Sequence, residues 1–187
     1  LILGSQQIIS ALFGYGSFDE TAVLNSSLAL YYFAFGLPAF ALIKVFSSFF
    51  FANHNTKTPF YISLISVILN ILISIYYFNK IGFIIIPIAT TISSWFNGIL
   101  LFVFLKNRNL FSFNQIFIIQ FIKIIIASIL MGFIFQFFLN LFQNELAFEQ
   151  RYKSFYLILS ALLSLAFYLF ISYFIKAFKI RDIQLKY

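Results

Sequence analysis

The 187-residue sequence is 63% hydrophobic and only 9% charged, carries a formal net charge of +7 and contains no cysteine. A soluble domain cannot cover so much apolar surface with polar groups, so this composition excludes one and indicates an integral membrane protein. Disulfides and thiolate metal sites are excluded for these residues as well. Most basic residues lie at the ends of apolar runs, where they orient membrane spans, so the positive charge does not indicate a nucleic acid partner.

Long apolar runs separated by short polar turns predict an all-α polytopic helix bundle with about five complete transmembrane helices and one partial helix. The chain opens inside an apolar run without a methionine, so we expect it to be a piece of a longer protein. The partial helix covers about residues 1–13, and the complete spans cover about 22–51, 59–78, 83–105, 113–142 and 155–175. Each complete run is close to or above the roughly 20 residues that cross a bilayer. A basic tail, residues 176–187, ends the chain.

The distribution of basic residues between the two sides predicts the orientation. One side carries seven, Lys57, Lys106, Arg108, Lys176, Lys179, Arg181 and Lys186. The opposite side carries three, Lys80, Arg151 and Lys153. Loops rich in lysine and arginine stay in the cytoplasm, so the C-terminus is predicted to be cytoplasmic.

The stretch from residue 33 to residue 59 contains the strongest candidates for a functional role. Gly36 and Pro38 interrupt a run long enough to cross the bilayer, and proline inside a helix removes a hydrogen bond and bends the axis. Lys44 follows within about two turns. A lysine in a span is a functional candidate because its burial in lipid is costly. Two interpretations of Lys44 stay open: it lines a transport path, or its side chain reaches the cytoplasmic interface as that of Lys123 is expected to do.

Small polar residues recur at helical spacing on two neighbouring spans. Ser63, Ser66, Asn70 and Ser74 share one face of the third segment, and Thr90, Ser94 and Asn97 share one face of the fourth. A tight turn joins these spans, so they are predicted to pack antiparallel, with the polar faces meeting each other or lining a cavity. Asn70 and Asn97 are therefore further candidates for the transport path.

The spans contain no carboxylate, which excludes a proton or sodium relay built on intramembrane acids within these residues. His54 is the single histidine and lies in a turn, so no metal site is predicted. No Ser-His-Asp or paired-carboxylate arrangement is present either. These residues thus predict a protein that is not an enzyme and that needs no cofactor.

Residues 12–59 resemble the MurJ (MviN) family of lipid II flippases. The resemblance lies in LFGYGSFDETAV and in the later GLPAFALIKVFSSFFFANHNTKTP, and it continues more weakly but co-linearly beyond Pro59. Lys44 occupies the lysine position of the family pattern, and residues 50–52 and 56–59 match the end of the motif. The sequence departs from the pattern at Tyr15, at Ser48 and at residues 53–55.

The resemblance implies the C-terminal part of a transporter of about fourteen helices in the MOP superfamily, which also holds multidrug and polysaccharide exporters. Residues 1–112 would then form part of the C-terminal helix bundle, and residues 113–187 the last two helices and a cytoplasmic tail. The implied function is a flippase that moves lipid II, the undecaprenyl-pyrophosphate-linked peptidoglycan precursor, across the bacterial inner membrane by alternating access. Lipid II and membrane lipids would be its partners.

Two alternatives stay open from the sequence. An exporter of polysaccharide or of drugs would share the fold, and a membrane-embedded transferase would keep its chemistry outside these residues. The expected transport-path residues are Lys44, Gly36, Pro38, Asn70 and Asn97.

Overall fold

The computed structural model describes residues 1–108 and 115–176, without the side chains of residues 116 and 117. The regular structure within these ranges is helical, which confirms the predicted all-α fold. The helices are α1 (Ser5–Phe13), α2 (Glu20–Ala52), α3 (Lys57–Ile81), α4 (Ile85–Asn107), α5 (Gln115–Leu141) and α6 (Lys153–Phe174). The predicted basic tail lies outside the described residues from 177 onward.

Four stretches of the described residues are long and apolar enough to cross a membrane: Glu20–Ala52, Lys57–Asn107, Ile118–Leu141 and Lys153–Phe174. The second is 51 residues long and folds back on itself. It contains α3 with 25 residues, a 3-10 turn over Gly82–Ile84, and α4 with 23 residues. Gly82 has a φ of +72°, a backbone conformation that glycine adopts without strain. The described residues thus contain five full-length helices, while α1 has only nine residues.

The chain divides into two compact units. The first contains Leu1–Ser5 and residues 24–108, and the second contains Gln6–Val23 and residues 115–176 among the described residues. In the first unit α3 packs against α4. Its buried core joins three helices through Phe46, Phe50, Ile62, Leu101 and Leu105.

In the second unit α5 packs against α6. Its core consists of Ala11, Leu139, Leu146 and Leu157, so α1 belongs to the packing of this unit. Ser160, Ser164 and Ser172 of α6 are fully buried. Small side chains of this kind allow membrane helices to approach closely.

The helix starts follow from the polar residues in the turns. Asp19 caps α2, because its Oδ1 accepts hydrogen bonds from the Ala22 amide at 2.8 Å and from Thr21 Oγ1 at 2.9 Å. The Ala22 amide and the Thr21 hydroxyl hold the pKa of the Asp19 carboxyl below its ordinary value. Asn55 Oδ1 accepts a hydrogen bond from the Thr58 amide at 3.2 Å, and Pro59 lies in the first turn of α3.

Candidate transport-path residues

Lys44 lies on an exposed stripe of α2. The stripe runs along one side of the helix with the spacing of a single helix face and consists of Phe33, Leu37, Phe40, Lys44, Ser48 and Phe51. Lys44 carries the only charge on this stripe. Its side chain does not pack into the core of the first unit, so the stripe is available to lipid or to another part of a larger protein.

Gly36 is buried where α2 and α4 approach closely. A methyl group added at Gly36 would lie 3.1 Å from Thr91 Oγ1 and 3.5 Å from Ser94 Oγ. The first distance is shorter than an ordinary van der Waals contact, so the absence of a side chain at Gly36 sets the spacing of the two helices. Pro38, two residues later, is exposed and leaves this packing undisturbed.

Side chains of α4 donate hydrogen bonds to the backbone of α2 around the proline. Thr91 Oγ1 donates to the Tyr32 carbonyl at 2.8 Å, and Trp95 Nε1 donates to the Phe35 carbonyl at 3.0 Å. Pro38 has no amide hydrogen for the Ala34 carbonyl, which lies between these two acceptors in the sequence. The two helices are therefore joined by side-chain hydrogen bonds where the internal bonding of α2 is weakest.

Sequence reasoning missed both donors. Thr91 lies outside the polar face predicted for α4, and Trp95, the single tryptophan of the chain, lies in the apolar run that predicts the fourth span. A signal was present, since the indole and hydroxyl groups of a membrane span need acceptors and a proline one helix away leaves carbonyls accessible.

Asn70 and Asn97 join α3 to α4. Asn70 Nδ2 donates to Thr90 Oγ1 at 3.1 Å and to Ser93 Oγ at 3.2 Å, and Asn97 Nδ2 donates to Ser63 Oγ at 3.3 Å. These pairs fit one antiparallel register. The two polar faces therefore meet each other, one of the two arrangements left open by the sequence. The Asn97 amide oxygen is buried without a hydrogen-bond partner.

One residue of the predicted polar face of α4 points elsewhere. Ser94 lies beside Gly36 of α2, and the neighbouring Ser93 takes the position opposite Asn70. The predicted face, built from Thr90, Ser94 and Asn97, was wrong at Ser94 because α4 packs against both α2 and α3. Residues 90–97 of α4 therefore present polar groups in two directions.

A buried lysine holds the loops of the second unit together. Lys153 begins α6 and is 1% exposed. Its ammonium group donates to the carbonyls of Gly14 at 2.6 Å and Phe148 at 2.7 Å. The same nitrogen lies 4.4 Å from the ring centre of Tyr15 and 4.6 Å from that of Phe148, which are cation–π distances. The sequence predicted Lys153 only as a basic residue of a polar loop.

The family model described as lipid II flippase MurJ matches residues 1–157. The chain belongs to the MurJ lipid II flippase family. The match covers all five predicted transport-path residues and also Lys153. A multi-pass protein of the inner membrane agrees with this family and with the apolar helices of the described residues.

Curated relatives named probable lipid II flippase MurJ are similar over much of this chain. That of Rhizobium meliloti (strain 1021) is 33% identical over 134 residues, which are 71% of this chain and 25% of the relative. That of Thermotoga maritima is 35% identical over 128 residues, 68% of this chain and 25% of the relative. That of Rickettsia prowazekii (strain Madrid E) is 35% identical over 97 residues, 52% of this chain and 19% of the relative. The chain thus spans about a quarter or less of the length of these MurJ proteins.

Proposed function

We propose that the protein containing this chain is a lipid II flippase, which moves undecaprenyl-linked peptidoglycan precursor from the inner to the outer leaflet by alternating access. Membership of the MurJ family over residues 1–157 carries this proposal. The five full-length apolar helices support it, because a transporter of a lipid-linked substrate needs a polytopic bundle. The protein is then a transporter without covalent chemistry of its own.

Lys44 contributes a positive charge to the substrate path in this proposal. Its side chain is exposed on an otherwise uncharged stripe of α2, and an ammonium group exposed to hydrocarbon would be costly. Contact with the pyrophosphate of the substrate, or with water in a cavity, removes that cost. Lysine suits this role because its ammonium group acts as a compact point charge.

The segment around Gly36 and Pro38 serves as the bend of α2 in this mechanism. Proline removes one hydrogen bond inside the helix, so bending there costs less than elsewhere along α2. The hydrogen bonds from Thr91 and Trp95 keep α4 attached to α2 at this position. Movement of α2 would therefore carry the α3–α4 hairpin, whose two helices are joined through Asn70 and Asn97.

The proposal is tested with the complete protein in a bacterium whose own lipid II flippase can be switched off. Outer-leaflet accessibility of lipid II is the measured quantity. We expect the wild type to restore accessibility. We expect Lys44→Gln to lower the transport rate roughly tenfold, which corresponds to about 1.4 kcal/mol in activation free energy. Lys44→Arg should retain part of the activity because it keeps the charge.

Lys123→Gln is the matched control, since it removes an equivalent charge from another span. It should accumulate and transport like the wild type. No restoration by a stably inserted wild type would overturn the flippase assignment. Equal transport by Lys44→Gln and Lys123→Gln would leave the flippase in place but make Lys44 an interfacial anchor.

A further inference from the structure

A polar pocket of about 430 Å³ lies in the second unit, where α1, the start of α2, the end of α5 and the following loop meet. Its volume falls within the range of small-molecule sites. Five of its eleven lining residues have side chains that both donate and accept hydrogen bonds: Gln6, Gln7, Ser10, Asn140 and Gln143. None of the predicted transport-path residues belongs to it.

Ser10 indicates that the pocket is built to hold a polar ligand. Its side chain is 5% exposed, and its hydroxyl oxygen is buried without a hydrogen-bond partner. A buried hydroxyl without a partner is unfavourable by about 1–3 kcal/mol. Ser154 and Ser160 of the same unit satisfy their hydroxyls, since Ser154 donates to the Ala11 carbonyl and Ser160 to the Tyr156 carbonyl. Ser172 Oγ is also buried without a partner, but it lies outside the pocket lining. A polar group bound in the pocket would satisfy Ser10.

The charges of the lining select the class of ligand. Glu20 is the single charged residue of the pocket lining, and neither lysine nor arginine belongs to it. A phosphate or pyrophosphate would face a carboxylate there without a compensating cation, which is unfavourable. Amide side chains each offer two donors and an acceptor, and a carboxylate accepts from hydroxyl groups. This set matches a neutral ligand rich in hydroxyl and acetamido groups.

Phe148 adds an apolar surface to the same pocket. Its ring is already held by the Lys153 ammonium group, so it presents a face of fixed orientation. A sugar ring combines hydroxyl edges with an apolar face of C–H groups and therefore matches both parts of the lining. Pockets of this kind fix a ligand through a few polar groups and bury its apolar surface.

We propose that this pocket binds a neutral saccharide, and that the glycan of the lipid-linked substrate occupies it after crossing the membrane. The second half of this statement rests on the proposed flippase function and on the predicted outer location of the loop after α5. The pocket then holds the sugar, while the pyrophosphate is bound elsewhere by positive charge.

Protection of single cysteines tests the proposal in the complete protein, reconstituted in nanodiscs with its other cysteines replaced. Ala147→Cys lies in the pocket lining, and Glu149→Cys lies two residues later in the same loop outside it. The probe is N,N′-diacetylchitobiose, a neutral disaccharide with acetamido groups. At about twice its Kd, the probe should slow maleimide labelling of residue 147 roughly threefold, because ligand binding divides the labelling rate by 1 + [L]/Kd. Labelling of residue 149 should not change.

Two variants and a second ligand complete the test. Gln143→Leu replaces an exposed residue, so it should fold normally and abolish protection, and Ser10→Val should do the same. Inorganic pyrophosphate should not protect residue 147. Absence of protection by the disaccharide, equal protection by pyrophosphate, or protection retained in Gln143→Leu would each overturn the proposal.

The same proteins separate this proposal from the proposed function. If lipid II accessibility is restored but the disaccharide leaves residue 147 unprotected, the flippase stands and the saccharide site is refuted. If the disaccharide protects residue 147 while accessibility is not restored, the saccharide site stands and the transported lipid is refuted.

Discussion

At the scale of single residues, Lys153 is the most constrained charge of the described chain. Its ammonium group is enclosed by two carbonyls and two aromatic rings, so it ties the loop after α1 to the loop after α5. The hydroxyl of Tyr15 lies 2.8 Å from Ser154 Oγ and links the loop after α1 to the first turn of α6. Tyr15 is a position where the sequence departs from the family pattern, and its ring here lies beside a lysine.

Lys153→Met tests this arrangement, because methionine keeps the length of the side chain and removes its charge and donors. The carbonyls of Gly14 and Phe148 would lose their partner in a buried site, at about 1–3 kcal/mol. We expect a lower midpoint of thermal denaturation for the complete protein in detergent. Arg151→Met is the control, since it removes an exposed charge two residues away. Equal midpoints for the two variants would show that the buried lysine does not stabilise the loops.

Gly36 provides a second prediction at this scale, because its missing side chain allows α2 to approach α4. Alanine normally stabilises a helix relative to glycine by about 0.5–1 kcal/mol. At Gly36 the new methyl group would press on Thr91 Oγ1, so we expect Gly36→Ala to lower the denaturation midpoint. In a Thr91→Ala background the same change should be neutral or stabilising, with a coupling of about 0.5–3 kcal/mol. Additive effects of the two changes would contradict the close contact.

At the scale of elements, the α3–α4 hairpin combines a tight turn with a row of polar contacts between the helices. We call this row the polar seam; it consists of Asn70 with Thr90 and Ser93, and of Asn97 with Ser63. The turn at Gly82–Ile84 brings the helices side by side, and the hydrogen bonds of Asn70 and Asn97 fix their register. Water does not compete for these bonds inside a bilayer, yet each contributes modestly, about 0.6 kcal/mol on average and up to about 1.7 kcal/mol. The polar seam therefore mainly specifies which faces of α3 and α4 meet, and it contributes little to the stability of the hairpin.

Asn70→Leu measures the contribution of the seam. It removes the donor to Thr90 and Ser93, so we expect a loss of about 0.6–1.7 kcal/mol in resistance to unfolding by denaturant. Asn79→Leu is the matched control, as it makes the same replacement at an exposed position of the same helix. An effect no larger than that of Asn79→Leu would mean that apolar packing alone holds the hairpin together.

At the scale of the whole molecule, the charges at the helix ends predict the orientation in the membrane. In the first unit, Lys57 begins α3 and Lys106 and Arg108 lie at the end of α4, so these three residues are at the end of the hairpin opposite Lys80. The sequence predicts that Arg151 and Lys153 of the second unit lie on the same side of the membrane as Lys80. The burial of Lys153 does not change the number of basic residues predicted on each side, because Lys153 lies at the start of α6. The prediction of a cytoplasmic C-terminus therefore stays a prediction with a direct test.

The absence of cysteine makes that test simple, because single cysteines at Ser17 and Asn107 can be introduced without removing any from this chain. Both positions are exposed. An impermeant maleimide added to intact cells should label residue 17 and not residue 107, and permeabilisation should expose residue 107. Labelling of residue 107 in intact cells, without labelling of residue 17, would falsify the orientation.

Hydropathy and turn residues were enough to predict the helices. The observed bounds of α2 and α4 lie within two residues of the predicted spans, since a run of apolar residues must be helical to satisfy its backbone in lipid. The start of α3 at Lys57 lies two residues before the predicted start at residue 59. The transport-path role of Lys44, Gly36, Pro38, Asn70 and Asn97 stays a proposal, because local chemistry does not specify what lies opposite an exposed side chain.

Composition and short-range patterns were enough to predict an integral membrane protein of the MurJ family and the order of the helices in the described residues. Tertiary structure decided which polar groups meet. It placed Ser93 rather than Ser94 opposite Asn70, buried Lys153 among backbone carbonyls and left Ser10 without a partner in a pocket. These outcomes depend on which helix faces pack together, and in a chain this uniformly apolar the one-dimensional pattern does not distinguish one face from another.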